Sequence, residues 1–372
     1  MIKDATSLIS VLVLALSGLS SAGCGRDGGQ AKPEGDANAE GQAASQAASK
    51  ELFLYIFSDY YPTELMKKFE AETGIRITID VYDSNETMLA KLQAGGTGYD
   101  VVVPSDYMVK TMIDVGLAEK IDVYAMENFK NIKAPLAAPD FDPKREYSGP
   151  YMVGLTGFTY DSARVPGGTM EESWRSILDP APELKGQIGM LDDEIDVWNA
   201  AAYYLGFDKC TEKPEDAEKI LALLQKQKPS VAVYKSDGAL ERMTSKEVMM
   251  HMQWNGQAHR VKQKLTSVVF VYPKEGLSFW NDNLVVPKGA KNKQNARTFI
   301  NWMMTPENAA AASNFTGYMN SIEGSEKFLR PELRDDPAVV MPEQYKDRLR
   351  PGKVCSAATR KLRSKVWTRL RK

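Results

Sequence analysis

Cysteine, histidine and long apolar runs are scarce in this sequence, and each scarcity excludes a class of protein. The 372 residues include 3 cysteines and 2 histidines. Three cysteines without a CxxC spacing cannot build a disulfide framework or a structural zinc site, and two histidines predict no catalytic metal. The formal net charge is −2, so no overall field attracts nucleic acid, and we expect no nucleic-acid partner. Neither a phosphate-binding loop nor an activated-nucleophile motif is present.

The N-terminal 50 residues have the composition of a leader and a tether rather than of a folded domain. An apolar run at residues 8–16 is too short to span a bilayer, and it predicts that residues 1–23 are a signal peptide. The sequence Leu19-Ser20-Ser21-Ala22-Gly23-Cys24 resembles a bacterial lipobox, although Ser21 stands where a larger apolar residue is usual. The resemblance implies lipidation of Cys24, and the alternative is an ordinary secretory signal with a chance cysteine.

Residues 24–50 are dominated by small and polar side chains and contain no aromatic or branched aliphatic residue. Such a segment cannot bury enough apolar surface to fold. We therefore expect a lipid-anchored flexible linker and a periplasmic or cell-surface location, with the lipid anchor as the only membrane contact. A linker to another domain would have the same composition.

Beyond residue 50 the pattern alternates between strands and helices, which predicts an α/β fold. Short crossovers between strand, helix and strand force parallel neighbours in the first half. The expected strands are 52–57, 75–81, 100–103, 188–191, 231–234, 248–253, 268–271 and 284–286. The expected helices begin at Pro62, near Asp83 and after Ser105, and continue near Ala200 and at 217–226, 258–264 and 296–304.

Acidic and aromatic residues follow several of these strands, where open parallel sheets bind their ligands. Asp59 and Tyr60 follow the first strand, and Ser105 and Tyr107 follow the third. A second edge of this kind carries Asp193, Ser236 and Trp254. Two such edges facing each other predict a cleft.

Seven stretches in collinear order resemble the periplasmic spermidine/putrescine-binding proteins of ABC importers. They are Ser58-Asp59-Tyr60, Tyr82 to Met88, Tyr99 to Ser105, Trp254-Asn255-Gly256, Tyr272 to Gly276, Trp280-Asn281-Asp282 and Lys291-Asn292-Lys293. The resemblance implies a two-lobed periplasmic binding protein fold with crossing hinge segments. It places lobe I at 51–154 and 284–330, lobe II at 155–283 and a C-terminal helical segment at 331–372.

The resemblance also implies a substrate-binding site, no cofactor, no catalytic residue, an ABC importer permease as partner and, we expect, a monomer. The implied ligand contacts are Phe57, Ser58, Asp59, Tyr60, Ser105, Tyr107, Asp193, Asp196, Ser236, Trp254, Trp280, Asp282 and Tyr318. Carboxylates suit the ammonium groups of a polyamine, and aromatic faces suit both its methylenes and its charge. Four aspartates favour three ammonium groups, as in spermidine, whereas the Ser58-Asp59-Tyr60 stretch looks more like the putrescine receptors. Phe57 replaces a tryptophan, and Gln257 stands where putrescine receptors carry an aspartate.

Several alternatives remain open from the sequence. Asp193 and Asp282 have the residue type of a glycosidase pair, and Asp59 and Asp193 also suit helix N-caps. A receptor of the same fold for ferric iron, an anion or another small cation, or a sensory receptor, would have a similar sequence. Cys210 and Cys355 either pair or remain as buried thiols. The basic C-terminal run favours a docked helix with a solvated basic face over a nucleic-acid or lipid patch.

Overall fold

The computed structural model describes residues 49–95 and 98–372. The predicted signal peptide, Cys24 and nearly all of the predicted linker lie outside the described residues. The strands are β1 (Glu51–Phe57), β2 (Arg76–Tyr82), β3 (Val101–Val102), β4 (Ser148–Asp161), β5 (Ile188–Met190), β6 (Val231–Tyr234), β7 (Met250–Trp254), β8 (Val268–Val271), β9 (Leu277–Val285), β10 (Met319–Asn320) and β11 (Leu349–Arg350).

Helices separate most of these strands, as the alternating pattern predicts. They are α1 (Thr63–Thr73), α2 (Asn85–Gln93), α3 (Asp106–Asp114), α4 (Ala134–Ala137), α5 (Arg175–Leu178), α6 (Glu194–Tyr204), α7 (Pro214–Gln227), α8 (Ala239–Thr244), α9 (Asn255–Lys262), α10 (Lys293–Met303), α11 (Pro306–Thr316), α12 (Pro331–Arg334) and α13 (Ala357–Arg371). The cap of α2 is Ser84, which accepts a hydrogen bond from the Thr87 N–H, one residue later than the spacing of Asp83 and Glu86 indicates.

All eleven strands join in one sheet, which confirms the α/β class. Its main path has the order β2-β1-β3-β9-β4-β7-β5-β6, and off this path β8 and β10 pair with β4 and β11 pairs with β9. β1 lies between β2 and β3 and is parallel to both, as predicted for the first three strand–helix units. β4 is antiparallel to β7, β8 and β9. The sheet is therefore mixed, and its middle is antiparallel.

β4, with 14 residues, has no counterpart among the strands expected from the sequence. Glycine and proline interrupt it at Gly149, Pro150, Gly154 and Gly157, and both residue types weaken the pattern of a strand. The glycines have steric reasons: a Cβ at Gly154 would lie 2.2 Å from Cζ2 of Trp280. Close packing requires glycine at these positions of β4. The same glycines weaken the strand pattern, so the sequence does not reveal β4.

Two large hydrophobic cores lie along the sheet, and β4 and β9 contribute to both. The first core contains Tyr151 and Met152 of β4 and Leu284 of β9, together with β1, α1 and α10. The second contains Leu155 and Phe158 of β4, together with α6, α7 and β7. Trp254 packs against both cores. The division of the chain into two lobes that move as units, with boundaries at 154/155 and 283/284, remains a prediction.

The C-terminal segment returns to the second core and is fastened there by a disulfide. Cys210 and Cys355 are bonded, which decides between the two states that the sequence left open. α13 buries Val366 and Leu370 against the second core. Within 49–95 and 98–372, no helix is both long enough and apolar enough to cross a membrane.

Candidate ligand-binding site

A cleft of about 440 Å³ lies where the carboxyl ends of β1, β3 and β5 meet the middle of β9. All thirteen residues that the resemblance implied line it: Phe57, Ser58, Asp59, Tyr60, Ser105, Tyr107, Asp193, Asp196, Ser236, Trp254, Trp280, Asp282 and Tyr318. The structure thus brings these side chains to one place. Their contact with a ligand remains a prediction.

Asp282, within β9, is the most completely enclosed carboxylate of the cleft floor. The residue is only 5% exposed. Oδ1 accepts a hydrogen bond from the Ser105 hydroxyl at 2.6 Å, and Oδ2 accepts one from the Tyr60 hydroxyl at 2.7 Å. Burial raises the pKa of Asp282 to about 7, because water no longer stabilises the charge and two neutral donors compensate only in part.

Asp196, in the first turn of α6, also lines the cleft and has a similar environment. Its Oδ1 accepts a hydrogen bond from the Thr156 hydroxyl at 2.9 Å, and its Oδ2 accepts one from Nε1 of Trp254 at 2.8 Å. Burial, and next the charge of Asp193, raise the pKa of Asp196 to about 7. No lysine, arginine or histidine nitrogen in the described part of the chain lies within 4.0 Å of Asp196 or Asp282.

Aromatic rings line the cleft near Asp282. The Tyr318 ring lies 5.2 Å from Trp280 and 5.7 Å from Tyr60, measured between centroids, and both pairs meet edge to face. The ring of Phe57 lies 5.9 Å from that of Tyr60. Burial, and next the charge of Asp282, raise the pKa of Tyr318, so its hydroxyl stays neutral.

Two glycines allow these rings to lie directly against the backbone. A Cβ at Gly154 would meet the Trp280 ring at 2.2 Å, and a Cβ at Gly256 would meet the Tyr318 ring at 2.5 Å. Separations this short do not occur in folded proteins, so any larger residue would push the ring out of place. The glycines therefore fix the positions of two walls of the cleft.

The other two predicted carboxylates are placed differently from Asp196 and Asp282. Asp59 has a left-handed backbone with φ 54°, its side chain is 79% exposed, and its Oδ2 lies 3.9 Å from Nη2 of Arg260. Asp193 is the N-cap of α6, and its Oδ1 accepts from the N–H groups of Ile195 and Asp196, both at 2.9 Å. The helix-cap alternative for Asp193 is therefore correct, whether or not the residue also contacts a ligand.

Ser236 and Tyr107, two further polar positions of the predicted set, make local hydrogen bonds. The Ser236 hydroxyl accepts from the Asp192 N–H at 3.0 Å, and its carbonyl accepts from Nε2 of Gln257 at 3.2 Å. The Tyr107 hydroxyl donates to Oε1 of Glu86 at 3.2 Å. Desolvation, and next the charge of Asp193, raise the pKa of Glu86 to about 7, although part of its side chain stays exposed.

Sequence reasoning missed the cations of the cleft: Lys209, Arg260, Lys353, Arg360 and Arg363. Arg363 belongs to the basic C-terminal run, whose charged side chains we expected to face solvent. It is instead only 7% exposed, and its Nε donates to Oε1 of Glu194 at 3.1 Å. Helical spacing could have indicated this burial, because position 363 is one turn before the buried Val366.

A metal-binding site does not appear among the described residues, where no three side chains of histidine, cysteine, aspartate or glutamate are grouped to hold an ion. His251 and His259 lie in the interior. The buried His259 ring pairs with Asp336 at 2.7 Å, outside the residues that line the cleft.

Several known proteins are similar to this chain in both sequence and fold. Residues 64–342 match the family of bacterial extracellular solute-binding proteins. The spermidine/putrescine-binding periplasmic protein of Salmonella typhimurium is 35% identical over 301 residues, which are 80% of this chain and 86% of the relative.

Two solved structures extend the likeness to three dimensions. A Listeria monocytogenes protein, provisionally named a spermidine/putrescine ABC transporter, has a TM-score of 0.82 at 28% identity. The Streptococcus pneumoniae spermidine/putrescine ABC transporter substrate-binding protein PotD has a TM-score of 0.73 at 28% identity. Both alignments cover 87% of this chain and 99% of the neighbour. The chain belongs to the bacterial extracellular solute-binding proteins, within the family of periplasmic spermidine/putrescine-binding proteins.

Proposed function

We propose that this protein captures a polyamine in the cleft and delivers it to an ABC importer in the membrane. The observation that carries the proposal is the pair Asp196 and Asp282. Both are buried carboxylates, each held by two neutral donors, without a cation of the described chain within 4.0 Å. A buried carboxylate without a counter-ion is costly, and an ammonium group from a ligand would remove that cost.

The cleft between the two carboxylates suits the methylene segment of such a ligand. Side chains two apart on a strand share a face, so Asp282, Trp280 and Ser278 of β9 point the same way, and all three line the cleft. Ser278 lies opposite Thr156, whose hydroxyl donates to Asp196. Trp280 therefore lies along the path from one carboxylate to the other, where its ring offers an apolar wall and a face that attracts cations.

The same arrangement disfavours an anion as ligand, and the relatives disfavour an enzyme. An anion would need cations at the cleft floor, but Asp282 and Asp196 hold that place. A glycosidase would also use two carboxyl groups, one of them with a raised pKa. In this family the relatives are solute-binding proteins. We therefore propose a binding protein without catalytic activity.

Calorimetric titration with a matched set of ligands tests the proposed function. Putrescine and spermidine should bind, whereas 1,4-butanediol, which has the chain of putrescine without its charges, should not. γ-Aminobutyrate, with one ammonium and one carboxylate, should bind at least tenfold more weakly than putrescine, because its carboxylate would face a buried aspartate. Equal affinity for the diol and the diamine would refute the proposal.

We further propose that the protein acts as a monomer tethered to the membrane through lipid on Cys24. The lipobox-like sequence and the composition of residues 24–50 support the lipid anchor. Replacing Cys24 with serine should move the protein from the membrane fraction to the soluble fraction of cells that express it, with unchanged ligand affinity. A wild-type protein found only in the soluble fraction would contradict the anchor without affecting the proposed ligand.

A further inference from the structure

A short segment between β11 and α13 forms part of the cleft wall. Residues 351–355, here called the strap, belong to neither a helix nor a strand. Four of the five strap residues line the cleft, namely Gly352, Lys353, Val354 and Cys355. One wall of the cleft therefore comes from an irregular segment near the C-terminus.

The strap lies directly against Asp106, the first residue of α3. A Cβ on Gly352 would lie 2.1 Å from Oδ2 of Asp106, so a larger residue would force the strap and the carboxyl group apart. Asp106 is 7% exposed and also lines the cleft. It follows Ser105, whose hydroxyl donates to Asp282. The strap thus covers the cleft beside the residues that hold Asp282.

The middle of the strap has few contacts to hold it there. Residues 352–354 make no hydrogen bond to another main-chain group of the described part of the chain. Nζ of Lys353 lies 3.9 Å from Oδ2 of Asp208, but both side chains are more than half exposed, so this ion pair contributes little. The position of the strap therefore depends on how its two ends are attached.

Both ends of the strap are attached to residues 209–210. At the first end, Nζ of Lys209 donates to the carbonyl of Pro351. At the other end, Cys355 forms the disulfide with Cys210, which is 145 positions away in the chain. On the predicted boundaries Cys210 belongs to lobe II, whereas Asp106, against which the strap lies, belongs to lobe I. The strap therefore reaches from one predicted lobe to the other.

We propose that the Cys210–Cys355 disulfide holds the strap as a wall of the ligand cleft and thereby slows the release of the ligand. This inference rests on the proposed polyamine function and goes beyond it. The two cysteines are positioning residues, since they act through the strap. Segments that cover a site commonly control release, and differences in affinity of this origin appear mainly in the dissociation rate.

The double variant Cys210→Ser, Cys355→Ser tests the proposal. Release of radiolabelled putrescine is followed after excess unlabelled putrescine is added, under conditions in which circular dichroism shows folded protein. The double variant should release the label roughly tenfold faster than the wild type and should bind putrescine more weakly in proportion. It should also unfold at a lower denaturant concentration. A disulfide with a structural role alone would change the unfolding and not the release.

Two glycine variants complete the test. Gly206→Ala is the control for general destabilisation, because Gly206 has φ 72° and does not line the cleft. It should lower stability and leave the release rate unchanged. Gly352→Ala keeps the disulfide but forces the strap and Asp106 apart, so it should also speed release. This variant tests the strap even if the cysteine variant does not fold.

The possible failures are distinguishable. Unchanged release by the folded cysteine variant, or equally fast release by Gly206→Ala, overturns the role of the disulfide and leaves the polyamine function intact. If the cysteine variant does not fold, unchanged release by Gly352→Ala overturns the role of the strap. Failure of the wild type to bind putrescine or spermidine overturns the proposed function itself, and this inference with it.

Discussion

At the scale of single residues, Asp282 and Asp196 explain how a cleft can be specific for cations before any cation is present. Each carboxyl group is buried, and each has two hydrogen-bond donors that are themselves held by the sheet or by packing. Burial raises the pKa of both groups to about 7. A ligand ammonium placed beside either carboxyl group would favour its ionised form, because the protein itself supplies no nearby positive charge.

This arrangement predicts an unusual dependence of stability on pH. The pKa of Asp282 rises from its ordinary 3.8 to about 7 on folding, so the folded state binds a proton more tightly than the unfolded state. The free energy of unfolding of the ligand-free protein should therefore fall as the pH rises from about 4 to about 7, by up to ~4 kcal/mol for this group.

Denaturant unfolding at pH 5 and pH 8 measures the effect. Asp282→Asn should lose less stability between these values than the wild type does, because the amide does not titrate. Asp335→Asn, at an exposed position that pairs with Arg334 on the surface, is the control and should follow the wild type. If Asp282→Asn and the wild type show the same change with pH, Asp282 does not have the raised pKa.

The sequence identified many residues that line the site, but it did not identify the charged residues that surround them. The strand ends and the collinear motifs were sufficient to collect thirteen residues that line one cleft. Arg363 was missed because it lies 81 positions beyond Asp282 in the chain, and a basic run near a terminus usually faces solvent. Contact between such distant segments depends on tertiary packing, which periodicity does not report.

At the scale of elements, β4 and β9 are the strands that build the cleft floor and pass through both cores. β9 carries Trp280 and Asp282. β4 supplies the Thr156 hydroxyl that donates to Asp196, and its Gly154 lies directly against the Trp280 ring. The sequence indicated only the last residues of β9 and none of β4. Short strands flanked by helices have a clear period, whereas a long strand interrupted by glycines and proline does not.

The role of β4 predicts a specific effect of Gly154→Ala. A methyl group 2.2 Å from the Trp280 ring must displace the indole from the cleft wall. We expect a stability loss of about 1–3 kcal/mol and a clear loss of affinity for putrescine, measured by calorimetry.

Gly149→Ala is the matched control on the same strand. Its Cβ would lie 2.5 Å from Cγ2 of Ile300, which belongs to the first core and does not line the cleft. This variant should also be less stable but should bind putrescine with near-normal affinity. Equal affinity losses in both variants would show that the effect is general destabilisation and not the position of Trp280.

At the scale of the whole molecule, two cores share one sheet and the cleft opens between them. Trp254 packs against both cores and donates to Asp196. The α/β class followed from the alternation of strands and helices, and the lobes were expected from the resemblance. The mixed direction of the sheet did not follow from the sequence, because strand order depends on pairings between distant segments.

The predicted lobes imply that the ligand draws them together, since Asp59 belongs to predicted lobe I and Asp196 and Asp282 belong to predicted lobe II. Small-angle scattering should therefore show a smaller radius of gyration with saturating putrescine than without it. Asp282→Asn under the same conditions should keep the larger radius. A radius that does not change in the wild type at saturation would contradict closure, although the ligand is bound.

Recognition of ammonium by Asp196 and Asp282 is the central claim. A calorimetric titration of putrescine into the double variant Asp196→Asn, Asp282→Asn tests it most directly. The wild type and Asp335→Asn should bind putrescine. The double variant should fold and show no detectable binding, because two buried ammonium groups would lose their counter-charges, at a cost of several kcal/mol each. Retention of wild-type affinity by the folded double variant would contradict the account.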